Sequence, residues 1–245
     1  MATGRRVNAV GGALCLTHVR IHAGARTLID SLDVTVDPGE CVTVLGPPGS
    51  GKSTLLGWIA GTLDPGLKAR GRASIDGENI LALAPARRGV GLMFQDDLLF
   101  PQLSIAGNLM FALVPRVHGR ASREAAVERA LREIGLDGCA NLRPSALSEN
   151  ERARVSLMRM LLAQPRVLLL DEPFRRFDAS TADEMRRFTF AHVRRRGIPT
   201  LLATRERADA EVADGRVIIF AGGRPAVPEA VEEAPRVAHR RVRFA

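Results

Sequence analysis

The chain has no tyrosine and one tryptophan, and aromatics make up only 4% of its 245 residues. Proteins that grip single-stranded nucleic acid interleave stacking aromatics with basic residues, so this scarcity argues against that class despite a net charge of +8. The arginine runs at 87–88, 175–176, 194–196 and 240–241 read instead as solvated faces of an arginine-biased chain. A charge of this sign also fits an anionic membrane surface or a negatively charged ligand, and charge alone does not choose between them. No apolar run approaches the roughly 18–20 residues of a membrane span. The opening "MATGRRVNAVGGALCLTHVR" lacks both the continuous apolar core and the cleavage site of an export signal. Cys15, Cys41 and Cys139 are odd in number and scattered, which argues against a disulfide framework or a metal knuckle. These absences predict a soluble cytoplasmic protein with reduced thiols. Lysine is almost missing too: Lys52 and Lys68 are the only lysines among 35 basic residues.

Lys52 stands in "CVTVLGPPGSGKSTLLGWIAG", an apolar β-branched run, a glycine-rich turn and a helical pattern. Within it Gly46, Pro47, Pro48, Gly49, Ser50, Gly51, Lys52 and Ser53, followed by Thr54, match the phosphate-loop pattern. Glycines let the backbone wrap phosphate oxygens with its N–H groups, and the helix that follows presents its positive dipole end. A lysine suits the β- and γ-phosphates because its ammonium is a compact point charge, and Ser53 is placed to ligate Mg²⁺. Downstream, "RVLLLDEP" reads as a buried strand that delivers Asp171 and Glu172 at its carboxyl end, where open α/β sheets bind ligands. Asp171 suits a metal ion held through water, and Glu172 suits the polarisation of an attacking water.

Lys52 and Asp171 lie 119 positions apart (171 − 52), more than a compact nucleotide-binding core needs, so a domain is inserted between them. The insert opens with "GLMFQDDLLFPQLSIAGNL", a short strand expected to end at Gln95, and continues with helical periodicity broken by Pro101, Pro115, Gly119, Gly135 and Pro144. With "RARVSLMRMLLAQPRVLLLDEPF", these segments resemble the ATP-binding subunits of bacterial ABC importers over about residues 14–220. The resemblance implies an α/β fold of the P-loop NTPase ABC cassette type: a mostly parallel core sheet, a small antiparallel β subdomain and an inserted α-helical subdomain at about 97–162. It places the cassette at 14–228, after a disordered 1–13 and before a basic tail at 229–245; strands near 14–21, 32–36 and 71–76 fit its antiparallel part, and "SREAAVERALREI" at 122–134 reads as a helix capped by Ser122. It implies ATP and Mg²⁺ as cofactors, with Gln95 touching the metal or its water and Asp178 in the loop that crosses a dimer interface. It also implies transmembrane permease subunits as partners, docked on 96–101 and the helix after it, and a head-to-tail homodimer or heterodimer peripheral on the inner face of the plasma membrane. No direct nucleic acid is expected.

Several positions depart from that family. Its signature Leu-Ser-Gly-Gly-Gln is here Leu147, Ser148, Glu149, Asn150 and Glu151. The resemblance assigns Ser148 to the phosphate of the opposite ATP. Two carboxylates at such a helix start satisfy the dipole internally and repel a phosphate by roughly 3 kcal/mol at ~5 Å in an effective dielectric of ~20. The same letters make a capping box, Ser148-x-x-Glu151, which needs no phosphate. Arg205 replaces the switch histidine, with Glu206 beside it, and Arg175 and Arg176 replace small residues before Phe177 and Asp178. These arginines are candidates to neutralise Glu149 and Glu151 across a dimer. The adenine-stacking aromatic is missing; the position aligns near Ala23, with His22 as a neighbouring surface. Slow turnover is expected, and the rival reading is a nucleotide-binding, poorly hydrolysing subunit paired with an intact cassette.

Overall fold

A computed structural model describes residues 12–94, 96–115, 117–221 and 224–226. The expectations for Gln95, for 1–11 and for the tail from 227 lie outside the described residues.

Two sheets organise the chain. An antiparallel sheet pairs β2 (Arg26–Val36), β1 (Leu14–Ala23), β4 (Leu67–Ile75) and β5 (Glu78–Asn79) in that order. A six-stranded sheet has the order β10 (Arg224–Ala226), β9 (Val217–Ala221), β3 (Cys41–Leu45), β8 (Thr200–Thr204), β7 (Val167–Asp171) and β6 (Val90–Met93). All its pairings are parallel except that of β10 with β9. β7 is buried on both faces, as its continuous apolar run requires. Its side chains alternate between two cores. Val167 and Leu169 join the antiparallel sheet and α1 (Lys52–Ala60), whereas Leu168 and Leu170 join α2 (Ile105–Ala112), α3 (Arg120–Glu133), α4 (Glu149–Leu162) and α5 (Ala179–Arg196). A short helix α6 (Arg207–Ala213) follows β8. The helices α2, α3 and α4 all fall inside the expected insert.

The antiparallel strands run longer than the expected 14–21, 32–36 and 71–76. Bulges hide them: register shifts interrupt β1, and His18 and Ser31 take positive φ of 51° and 58°, which breaks the period-two alternation. Gly71 sits in this irregularity at φ 125°, where a Cβ would meet the Val19 Cα at 2.8 Å. Ser122 is not the cap expected for a helix at 122–134. The helix α3 starts at Arg120 behind Gly119, because Arg123 donates to the Val117 and Met110 carbonyls and anchors the extra turn against the end of α2. The strand expected to reach Gln95 ends at Met93.

Two side-chain devices fix the loop before α2 and the start of α4. Buried Asn108 on α2 accepts from Phe100 N (2.8 Å) and donates its amide towards the Phe100 and Ser104 carbonyls (3.1 and 3.0 Å), so one side chain holds the loop at 100–104. At the start of α4 the capping box is complete: Ser148 Oγ accepts from Glu151 N, and the Glu151 carboxylate accepts from Ser148 N at 2.8 Å and from its hydroxyl at 2.7 Å. The Ser148 hydroxyl, followed by the Ser148 backbone N–H, holds the Glu151 carboxyl below its ordinary pKa.

Asn108→Ala orphans Phe100 N and should lower unfolding free energy by roughly 1–3 kcal/mol in urea titration. Ser148→Ala should cost about 1 kcal/mol at neutral pH. Because the folded pKa of Glu151 is lowered, its share of stability is present above the unfolded value and lost as pH falls through the folded one. Melting curves should therefore show the wild-type advantage over Ser148→Ala shrinking in acid.

Candidate functional site

The glycine-rich turn joins β3 to α1 at the carboxyl edge of the parallel sheet. Gly46 is required there, since a Cβ would meet the Phe220 carbonyl oxygen at 2.6 Å. Gly49 and Gly51 adopt φ of 73° and 97°, a left-handed backbone open to glycine. Pro47 accepts from Ser50 N, and the Ser50 hydroxyl is buried with no hydrogen-bond partner. Lys52, the first residue of α1, is only 4% exposed and its Nζ donates to the Gly46 and Pro47 carbonyls at 2.7 and 3.0 Å. Burial pushes its ammonium below the usual lysine range, against the pull of Glu172 and Asp171. A buried cation, an orphaned hydroxyl and a turn of bare backbone make a cradle for an anion. Thr54 follows on α1.

The acidic strand end meets this cradle. Ser53 Oγ donates to Asp171 Oδ1 at 2.9 Å, joining residues 118 apart. Burial raises the Asp171 carboxyl above its ordinary pKa, and the Ser53 bond opposes the shift. A hydroxyl and a carboxylate so placed suit a hard divalent cation that keeps water and substrate oxygens as its other ligands.

Glu172 has left the strand with φ 43°, an uncommon backbone for a side chain this long, held by its N–H on the Ala203 carbonyl at 2.8 Å. Three cations surround its carboxylate: Lys52 Nζ at 4.0 Å from Oε1, and Arg175 Nε and Arg205 Nε each 3.7 Å from Oε2. None of these is a hydrogen bond, and Oε2 is buried without a hydrogen-bond partner. Arg175 and Arg205 thus lie within one chain beside Glu172, not beside Glu149 or Glu151.

The turn carrying Arg205 is fixed from behind, by residues that motif reading missed. Arg186 of α5 donates to Asp209 Oδ1 at 2.6 Å in a buried pair, Thr204 Oγ1 donates to Asp209 Oδ2 at 2.5 Å, and Thr204 Oγ1 accepts from Glu206 N. No local pattern in the sequence marks this triad, because Arg186 and Asp209 meet only through tertiary packing.

The remaining sites stand apart. Ser148 and Asp178 bond within their own helix starts; the Asp178 carboxylate accepts from Thr181 N and Oγ1, and the backbone bond from Thr181 holds it below the usual carboxylate range. Glu149 is met within the chain by Arg176, whose Nε lies 3.3 Å from its Oε1. His22 does not line the recess beside the phosphate loop. It pairs with Thr27 Oγ1 at 3.2 Å, while the recess of ≈ 280 Å³ is lined by Arg26, Thr27, Leu28, Pro47 and Pro48 with Gly49 and Ser50. Arg26, which donates to the Gly49 carbonyl at 3.3 Å, was not legible as a site residue, since the hairpin brings it there from 23 positions away.

Residues 29–175 match the ABC transporter family model. The chain is 41% identical over 208 residues to the uncharacterised ABC transporter ATP-binding protein YnjD of Escherichia coli K12, covering 85% of this chain and 95% of the relative. It is 40% identical over 213 residues to the Fe(3+) ions import ATP-binding protein FbpC of Streptomyces coelicolor, covering 86% of this chain and 60% of that protein. It is 38% identical over 212 residues to the sulfate/thiosulfate import ATP-binding protein CysA 2 of Chromobacterium violaceum, covering 84% and 57%. The chain thus spans somewhat over half of these two import proteins and nearly all of YnjD. With a phosphate cradle facing an acidic strand end and relatives of this closeness, the chain belongs to the ABC transporter family as an ATP-binding cassette of its ATPases.

Proposed function

We propose that this chain powers a bacterial ABC importer as its ATP-hydrolysing subunit, peripheral on the inner face of the membrane. The observation that carries the reading is the convergence of Lys52, Ser53, Asp171 and Glu172 at one sheet edge. In the reaction Lys52 leaves the Gly46 and Pro47 carbonyls for the β- and γ-phosphates, where its charge stabilises the transferring group. Ser53 and Asp171, with Gln95, would hold Mg²⁺, which supplies neutralisation of phosphate charge. Glu172 orients and polarises the attacking water.

Turnover should be slow. Arg175 and Arg205 stand over the carboxylate that must take up the water's proton, each 3.7 Å from its Oε2. Arg205 lacks the proton exchange a histidine offers in its place.

The permease is proposed to dock in the cleft of ≈ 640 Å³ between the end of β6, α2 and α4, walled by Leu92, Phe100, Phe111, Val114 and Met160. Phe111 is 70% exposed there and Arg159 lies over the Phe100 ring, an apolar platform with a cationic rim. No helix of the described residues is long and apolar enough to cross a membrane, consistent with a borrowed transmembrane partner.

The second reading, a poorly hydrolysing cassette that closes on an intact partner cassette, is favoured by the Ser148 hydroxyl, both of whose hydrogen-bonding roles are taken by Glu151. A head-to-tail dimer of two copies would then close weakly, and a heterodimer better.

Steady-state ATPase assays decide between them. Glu172→Gln should lower kcat by about 10²-fold or more, and Lys52→Ala should abolish the calorimetric heat of Mg–ATP uptake. Restoring Glu149→Gly, Asn150→Gly and Glu151→Gln together, or Arg205→His alone, should raise turnover several-fold, by roughly the 1 kcal/mol scale of a single phosphate contact. Equal rates in wild type, Glu172→Gln and the restored chain would remove the hydrolase reading.

A further inference from the structure

Three segments far apart in the chain meet on one guanidinium. Arg176 lies in the turn after Glu172, and its Nη2 donates to Asp97 Oδ1 in the loop that leaves β6. Its Nε faces Glu149, the first residue of α4, at 3.3 Å; the atom is buried and lacks an aligned acceptor, so this contact is Coulombic rather than a hydrogen bond. Asp97 is shared: Arg152 Nε of α4 donates to its Oδ2 at 3.2 Å, and Ser156 Oγ donates to its carbonyl at 2.8 Å. Arg152 also donates to the Leu147 carbonyl, just before the capping serine. The docking loop, the α4 start and the catalytic turn are therefore bolted together through charge.

Each residue that departs from the glycine-type signature has a partner inside the chain. Glu149 has Arg176. Asn150 donates to Glu184 of α5 at 2.9 Å and accepts from Arg154 at 3.0 Å. Glu151 is consumed by the capping box. Of the two carboxylates at this helix end, one is spent on Ser148 and the other is neutralised by a residue of the turn that follows the catalytic glutamate. The Arg176 guanidinium reaches two carboxylates at once, donating to Asp97 through Nη2 while its Nε faces Glu149.

We propose that Arg176 is a positioning residue of ATP-driven closure. It cancels Glu149 within its own subunit, so that the α4 N-terminus can face the phosphate of an opposing nucleotide, and it ties that helix end and the Asp97 loop to the turn carrying Glu172. This inference rests on the cassette reading above. A purely structural role would loosen the fold without depending on what occupies position 149, and that difference makes it testable.

The full-length chain in a Glu172→Gln background is titrated with Mg–ATP while dimer formation is followed by light scattering and nucleotide uptake by calorimetry. Arg176→Gln, which keeps a hydrogen-bonding side chain for Asp97 but no charge, should raise the ATP concentration for half-maximal dimerisation roughly tenfold, within the usual coupling range of contacting charges. Nucleotide uptake by the monomer should stay within about twofold. Adding Glu149→Gly should shrink the Arg176→Gln effect to twofold or less, and Arg176→Lys should fall between. An equal loss with and without Glu149→Gly overturns the proposal. If wild-type and Glu172→Gln chains form no ATP-dependent dimer, pairing with an intact cassette is favoured over two copies of this chain, the hydrolase reading is left to the ATPase assay above, and hydrogen exchange decides the tie itself. Arg176→Gln should then speed amide exchange at both 97–99 and 149–152 but not in α3, and unchanged exchange at either segment sinks it.

Discussion

The site depends on strand β8 acting as a ruler. Ala203 pairs with Val44 of β3 on one side and Asp171 of β7 on the other. The carbonyls of Ala203 and Thr204 then accept from Glu172 N and Gly46 N, the first residues to leave their strands. Two consecutive peptide groups thus set where the phosphate loop and the acidic turn begin. Parallel strands end at one edge, so the register that buries Leu168–Leu170 also brings Ser53 onto Asp171 and Lys52 towards Glu172. A slip of one residue would turn every buried side chain of β7 to the other core and separate the two halves of the site.

Charge around this edge is arranged in two shells. Lys52 and Asp171 are both moved by burial, the one down and the other up, so each is held where its charged form is least comfortable. Such groups gain most from an incoming partner of opposite sign: phosphate for the lysine, a divalent cation for the aspartate. Outside them, Arg175 and Arg205 flank Glu172 from two different loops, the second fixed by the buried Arg186–Asp209 pair. The edge therefore sets a buried cation beside a buried acid, while the Glu172 carboxylate is flanked by two guanidinium groups.

At the start of α4 the balance is different. Family members expose glycine N–H groups there to a phosphate, but in this chain side chains occupy the same helix end and take partners from α5, the catalytic turn and the capping serine. The helix is better capped and less available. The loop at 97–99, the start of α4 and the turn after Glu172 share Arg176 and Asp97, so the surface around α2 and the sheet edge at Glu172 are joined by one ion-pair network.

The phosphate loop, the acidic strand end and the capping box at Ser148 were legible from residue order, because each is local: a bend needs glycine, a buried strand needs a continuous apolar run, and a cap needs its acceptor three residues from its donor; the α/β cassette class came from the family resemblance those motifs carry. The starts of β2, β4 and α3 were not, since bulges at His18 and Ser31 disturb the alternation and Arg123 anchors an extra turn that no nearby residue signals. Nor could letters alone assign the arginines. Read along the chain, Arg175, Arg176 and Arg205 were equal candidates to neutralise Glu149 across a dimer; in three dimensions Arg176 reaches it within the chain while the other two turn to Glu172. Local order determined which chemistry the chain can perform, and only the packing of distant segments decided which charge meets which, because a Coulombic partner is chosen by distance in space and not by distance in sequence.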